Sequence, residues 1–253
     1  MRAIARYIVL IALRDRLFLG MVIGVFAVSY LSYVLGATAL IEEQQTAITL
    51  AAGTSRFVVM LGLMVFVCFH IRRAFETREM DVQVARPIRR STLVLGYFTG
   101  FMLVALALCA PLILAVALMQ PVSWPGFAAF SVSLVCEALL AAMFAMFAAF
   151  TLKSPVNAVL ASCAFYVLSR LMGFFLITLF NHPPFSSALA RHISTTAIDV
   201  TSYVIPRLDL FAKSAWLHYG ASAHEWLLFG AQSLIFIPLL LCATMLDIRR
   251  KAF

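Results

Sequence analysis

The chain has 253 residues, of which 64% are hydrophobic and 12% charged, and its formal net charge is +8. A soluble domain carries about 45–50% apolar and about 25% charged residues, so a water-soluble enzyme and a free nucleic-acid-binding domain are both excluded. Disorder is excluded as well, because a disordered chain is polar and poor in aromatics and this one contains 22 Phe. At about 20 residues per crossing, the length holds roughly six helices and short loops, a single membrane domain over residues 1–253.

Residues 1–16 come first. Their apolar run is short and closes on Arg14-Asp15-Arg16 with no small-residue cleavage site, unlike a secretory signal. On a helical wheel Ile4, Ile8 and Ile11 share one face, with Arg2 and Arg6 opposite. That pattern predicts an amphipathic helix lying in the cytoplasmic interface. Six apolar spans are expected next, over about residues 17–41, 57–71, 92–119, 127–152, 156–180 and 226–246, the second being short unless it begins near Ala47. Two longer non-membrane stretches separate them, residues 72–91 and residues 181–225, the second mixing apolar and charged residues.

The distribution of Lys and Arg orients the chain. With the N-terminus inside, Arg2, Arg6, Arg14, Arg16, Arg72, Arg73, Arg78, Arg86, Arg89, Arg90, Lys153, Arg249, Arg250 and Lys251 are cytoplasmic. Arg56, Arg191, Arg207 and Lys213 fall outside, and Arg170 falls within a span. This bias predicts both termini in the cytoplasm, and it explains the basic balance through anionic headgroups rather than nucleic acid.

The loop 72–91 pairs Arg72 with Glu76 and Thr77 with Asp81 at helical spacing, and Pro87 is expected to end that helix. Acidic and basic groups side by side suit docking on a soluble partner, whereas the plain alternative is contact with headgroups. The outside stretch is cut by Pro183-Pro184 and Pro206. It reads as two short amphipathic helices at the outer leaflet, anchored by Trp216 and Trp226.

Few residues could carry chemistry. No G-x-x-x-x-G-K-[ST], H-E-x-x-H or G-x-S-x-G occurs, so no nucleotide-binding or catalytic role is expected of this chain. Cys68, Cys109, Cys136, Cys163 and Cys242 all sit in apolar runs and read as small buried hydrophobes. His182, His192, His218 and His224 lie in the outside stretch, but their irregular spacing is unlike a metal-ligand set. Glu137 and Arg170 stand within the fourth and fifth spans, almost equally far in sequence from Ser154. At about 1.5 Å per residue both would lie about 25 Å from that loop. Equal depth in a hairpin predicts an intramembrane ion pair, which spares each charge the cost of facing lipid alone. The alternative is that each snorkels or caps backbone separately.

Small-residue spacings add packing signals: Gly20 and Gly24 in the first span, Gly96 and Gly100 in the third, and Ala141, Ala145 and Ala149 in the fourth.

The segment Ala85-Arg86-Pro87-Ile88-Arg89-Arg90-Ser91-Thr92-Leu93-Val94-Leu95-Gly96-Tyr97, preceded by Glu79 and Asp81, resembles the membrane subunits of ABC-2-type ATP-binding-cassette exporters. In that family a glutamate-bearing helix is followed by a Pro-x-x-Arg-like turn, matched by Arg90, and by a glycine, matched by Gly96. Val82-Gln83 stands where the family commonly has Gly-Thr, and Tyr97 where it has Lys or Arg. Tyr203-Val204-Ile205-Pro206-Arg207-Leu208-Asp209-Leu210-Phe211 is similar to the family's Pro-containing stretch before the last span.

The resemblance implies an all-α integral membrane protein with six transmembrane helices, cytoplasmic termini, an N-terminal interfacial helix and re-entrant or amphipathic helices before the last span. It implies a permease without cofactors of its own, coupled to two cytoplasmic ATPase subunits that bind ATP and Mg. It also implies pairing with a second permease copy, identical or different, in a bacterial inner membrane. Arg78, Glu79, Asp81, Arg86, Arg89 and Arg90 would then be the ATPase-coupling residues. Two other readings stay open from the residues alone: a secondary transporter or channel using Glu137 and Arg170, and a membrane scaffold using the outside histidines.

Overall fold

A computed structural model describes residues 2–39, 42–80, 90–181, 196 and 205–250. Among these residues every regular element is helical. Helix α1 (Arg2–Arg14) leads into α2 (Arg16–Gly36), α3 (Glu43–Glu76), α4 (Arg90–Leu118), α5 (Trp124–Thr151) and α6 (Pro155–Asn181). A 3-10 turn at Leu208–Phe211 and the short α7 (Trp216–Tyr219) precede α8 (Ala223–Arg250). Six of these helices, α2 to α6 and α8, are long and apolar enough to cross a membrane.

Local chemistry sets the breaks. Asp15 leaves helical backbone and its Oδ1 accepts from Leu17 N at 2.9 Å, so one residue ends α1 and caps α2. Ser123 caps α5 in the same way, accepting from Gly126 N at 3.2 Å, with a proline in the first turn.

Helices α3 and α5 form the centre, with most of their apolar windows buried, whereas α2, α6 and α8 are covered on much less of their surface. The expected stripe Ala141, Ala145 and Ala149 is buried against neighbours of α5. Leu19, Tyr30, Phe174 and Leu234 are more than half exposed on the outer helices. Such a surface of large apolar side chains suits lipid, not water. Polar contacts join α2 to α3: Ser29 and Ser55 hydroxyls lie 3.1 Å apart, and Ser32 and Thr54 3.4 Å. In an apolar surrounding such pairs act as interhelical glue.

Gly96 and Gly100 do not open a path to a second chain within this fold; a Cβ at either would meet Ile4 or Ile8 of α1. The apolar face of α1 is therefore laid along α4, with Ile8 fully buried and Arg2 and Arg6 exposed. Gly24 faces Val58 of α3, while Gly20 has open space beside it.

Helix ends gather on two sides. On one, Tyr7 donates to Glu79 (3.3 Å), Thr151 to Asp247 (3.4 Å) and Arg90 to the Ile248 carbonyl (2.9 Å). On the other, Gln44 donates to the Met119 and Gln120 carbonyls, and Ser123 N to the Leu217 carbonyl. The first side is rich in arginine.

Three expectations change. The second span takes its longer alternative, α3 running unbroken from Glu43 to Glu76, and Arg72 and Arg73 belong to its last turns rather than to a separate helix in the loop. The helix gives way at Thr77 and Arg78, where Arg78 takes a left-handed φ of 58°. Second, Arg56 is not an outside charge, because the longer α3 carries it inside the bundle at 1% exposure. Third, Trp216 is not an anchor in the interface. It is 2% exposed, packs on Phe229 with ring centroids 5.7 Å apart, and its carbonyl sits where a Cβ on residue 126 would be. Glycine at 126 is what lets α7 press into the bundle.

Candidate functional site

The polar centre of the bundle is built from three helices and the 3-10 turn. Glu137 of α5 is fully buried and accepts three hydrogen bonds. Arg56 Nη1 of α3 reaches Oε2 at 2.8 Å; Arg170 Nη1 and the Tyr166 hydroxyl of α6 reach Oε1, each at 2.9 Å. The structure thus brings Glu137 and Arg170 together and adds a second guanidinium. Two cations share one carboxylate, so the cluster carries an excess positive charge.

That excess is spread over neutral partners. Arg56 Nη1 also donates to the Phe211 carbonyl at 2.7 Å, and Nη2 to the Ser133 hydroxyl (3.3 Å) and Phe130 carbonyl (3.4 Å). Its guanidinium lies 4.7 Å from the Phe130 ring centre, and that of Arg170 lies 5.1 Å from the Phe57 ring. Ring faces attract cations most when water is excluded. Arg170 keeps 16% of its side chain exposed, whereas Arg56 has 1%. Buried charges of this kind persist only when paired and hydrogen-bonded.

The Phe211 bond ties the 3-10 turn to the cluster. The turn is itself held by an Arg207–Asp209 pair at 2.9 Å and by Arg207 N donating to Gln232 at 3.1 Å. Gly173, on α6, makes room for the Asp209 carboxylate. The cluster on α3, α5 and α6 is thus bonded directly to the 3-10 turn Leu208–Phe211.

The second candidate region is the arginine-rich end. Glu79 follows the bend after α3 and is exposed, and Arg78 is exposed beside it. Partial burial and the Glu79 carboxylate raise the Tyr7 phenol above its ordinary pKa, with Arg73 opposing. Arg90 begins α4 and donates to the Ile248 and Arg249 carbonyls at 2.9 and 3.4 Å, capping the end of α8. A cation there also meets the negative end of the helix dipole. Asp81, Arg86 and Arg89 lie outside the described residues.

The histidines and cysteines sit apart. His218 Nε2 is 3.1 Å from the Thr49 hydroxyl, and His224 is in the first turn of α8. His182 and His192 lie outside the described residues. Among the described residues no group of three or more His, Cys, Asp or Glu is placed to hold a metal. Cys68 and Cys109 are buried and Cys242 is exposed; all five thiols are free.

The sequence reading missed Arg56, Tyr166 and Ser133. A signal for Arg56 exists: Ala47, Ile48, Ala51, Ala52, Ser55 and Val59 are all buried and recur at helical spacing. That periodicity starts the helix well before the hydropathy maximum. No family model matches the chain, and no curated protein matches it in sequence.

Proposed function

We propose that this chain is the membrane-spanning permease subunit of an ATP-driven transporter of the ABC-2 exporter type. It forms the pathway with a second permease copy and is driven by two cytoplasmic ATPase subunits in a bacterial inner membrane. The observation that carries the reading is the charged bend Thr77–Arg78–Glu79 between the second and third long helices, at the arginine-rich end. It extends α3 directly, so a partner pressing there would push on a rigid rod. From Glu76 to Arg56 that rod spans roughly 30 Å at about 1.5 Å per residue. Its far point is the buried cluster, which meets α5, α6 and the Phe211 carbonyl. ATP-driven closure of the partner would thereby reach the outer segment through packed helices, with no catalytic residue on this chain.

The pairing of Glu137 with two arginines supports this reading over a secondary transporter, which needs groups free to take up and release an ion. Charge reversal at Glu79 and Arg86 tests it: a tagged chain is expected to retain an ABC ATPase on purification and the reversed variant to lose it. Undiminished association in the variant, or a wild-type chain that retains no ATPase, would overturn the proposal.

A further inference from the structure

At the arginine-rich end a cavity of about 620 Å³ opens between α1, the start of α2 and the last turns of α3. Binding sites for small ligands commonly enclose about 300–1,000 Å³. Its lining carries both signs of charge: Arg72 and Arg73 on one hand, Asp15, Glu76 and Glu79 on the other. Phe69, 49% exposed, gives it an apolar wall that opens to the outside of the bundle. Arg72 Nε is buried with no hydrogen-bond partner among the described residues. Its guanidinium lies 5.0 Å from the Phe75 ring centre, so a ligand in the cavity would meet the outer edge of the fork.

We propose that this cavity binds the phosphoethanolamine group of a membrane phospholipid. The two arginines receive the phosphate, for which a guanidinium has the matching fork of donors. The carboxylates receive the primary ammonium, which offers three N–H donors. The end of α3, with the negative pole of its helix dipole, favours the same ammonium. Charge complementarity selects this headgroup: a purely anionic one would face three carboxylates, and a trimethylammonium cannot donate a hydrogen bond. The cavity lies at the mouth of the apolar helices, so the acyl chains can leave along Phe69 into the bilayer. The inference is independent of whether an ATPase docks at Glu79.

Native mass spectrometry of the delipidated chain tests it, with phosphatidylethanolamine, phosphatidylcholine and phosphatidylglycerol of identical acyl chains added in turn. Phosphatidylethanolamine is expected to bind about tenfold more tightly than the other two, the worth of one charge-assisted hydrogen bond. Arg73→Gln and Glu76→Gln, both at exposed positions, are each expected to lower its affinity about tenfold. Arg6→Gln, on the exposed face of α1, should change nothing. Unaltered gel-filtration profiles establish that the variants are folded. Equal binding of the three lipids, or indifference to both Gln variants, would overturn the proposal. Water-soluble glycerophosphoethanolamine binding as tightly as the lipid would overturn the lipid source.

Discussion

Replacing Glu137 by Gln keeps the shape of the side chain and removes the charge that Arg56 and Arg170 share. The two arginines do not lose equally. Arg170 is 16% exposed and can turn outward, but Arg56 is 1% exposed and is fixed by Phe211, Phe130 and Ser133. Stranding a buried charge costs about 3–5 kcal/mol. Arg170→Gln removes one charge-assisted hydrogen bond and leaves the Arg56–Glu137 pair neutral, a loss of about 1.5–3 kcal/mol. At roughly 2–4 °C per kcal/mol for a chain of this size, Glu137→Gln should lower Tm by roughly 10 °C, clearly more than Arg170→Gln. Arg56→Met combined with Glu137→Met should recover much of that loss, because removing both partners leaves no stranded charge at Arg56. Thermal unfolding in a mild detergent, followed by intrinsic fluorescence and gel filtration, measures all four proteins. A Glu137→Gln protein melting within about 2 °C of the parent would show that this carboxylate does not hold the guanidiniums.

Other substitutions probe the packing around this centre. Gly100→Leu fills the space that Ile8 occupies and should cost about 1–3 kcal/mol by overpacking, detected as faster hydrogen exchange across α1. Gly126→Ala sets a methyl group against the Trp216 carbonyl. It should displace α7 and red-shift tryptophan emission as Trp216 leaves Phe229. Arg90→Ala removes the cap on α8 and should cost about 1 kcal/mol, read as increased exchange of the amides near Arg250.

Much of the helix layout is legible in the sequence because lipid-facing helices must be continuously apolar over a fixed length. The amphipathic face of α1 is likewise written in Ile4 and Ile8, although its partner α4 is not. Depth is legible too, since residues equally far from a tight loop meet across a hairpin, as Glu137 and Arg170 do. What escapes is the identity of a third partner from a distant helix. Arg56 precedes the most apolar part of α3, and a hydropathy window reads a charge at such an edge as a boundary. Only the tertiary arrangement, with Glu137 waiting on α5, makes it affordable inside the bundle. The burial of Trp216 escapes for a similar reason: an aromatic near a span end is ordinarily interfacial, and the glycine that admits it lies some 90 residues earlier in the chain.

The most direct test of the permease reading is the subunit composition of the complex extracted from its own membrane. Purification through a tag on this chain, followed by intact-complex mass spectrometry, should give two permease chains with two ATPase subunits that hydrolyse ATP. A chain that purifies without any ATPase, and that transports in liposomes on an ion gradient alone, would contradict it.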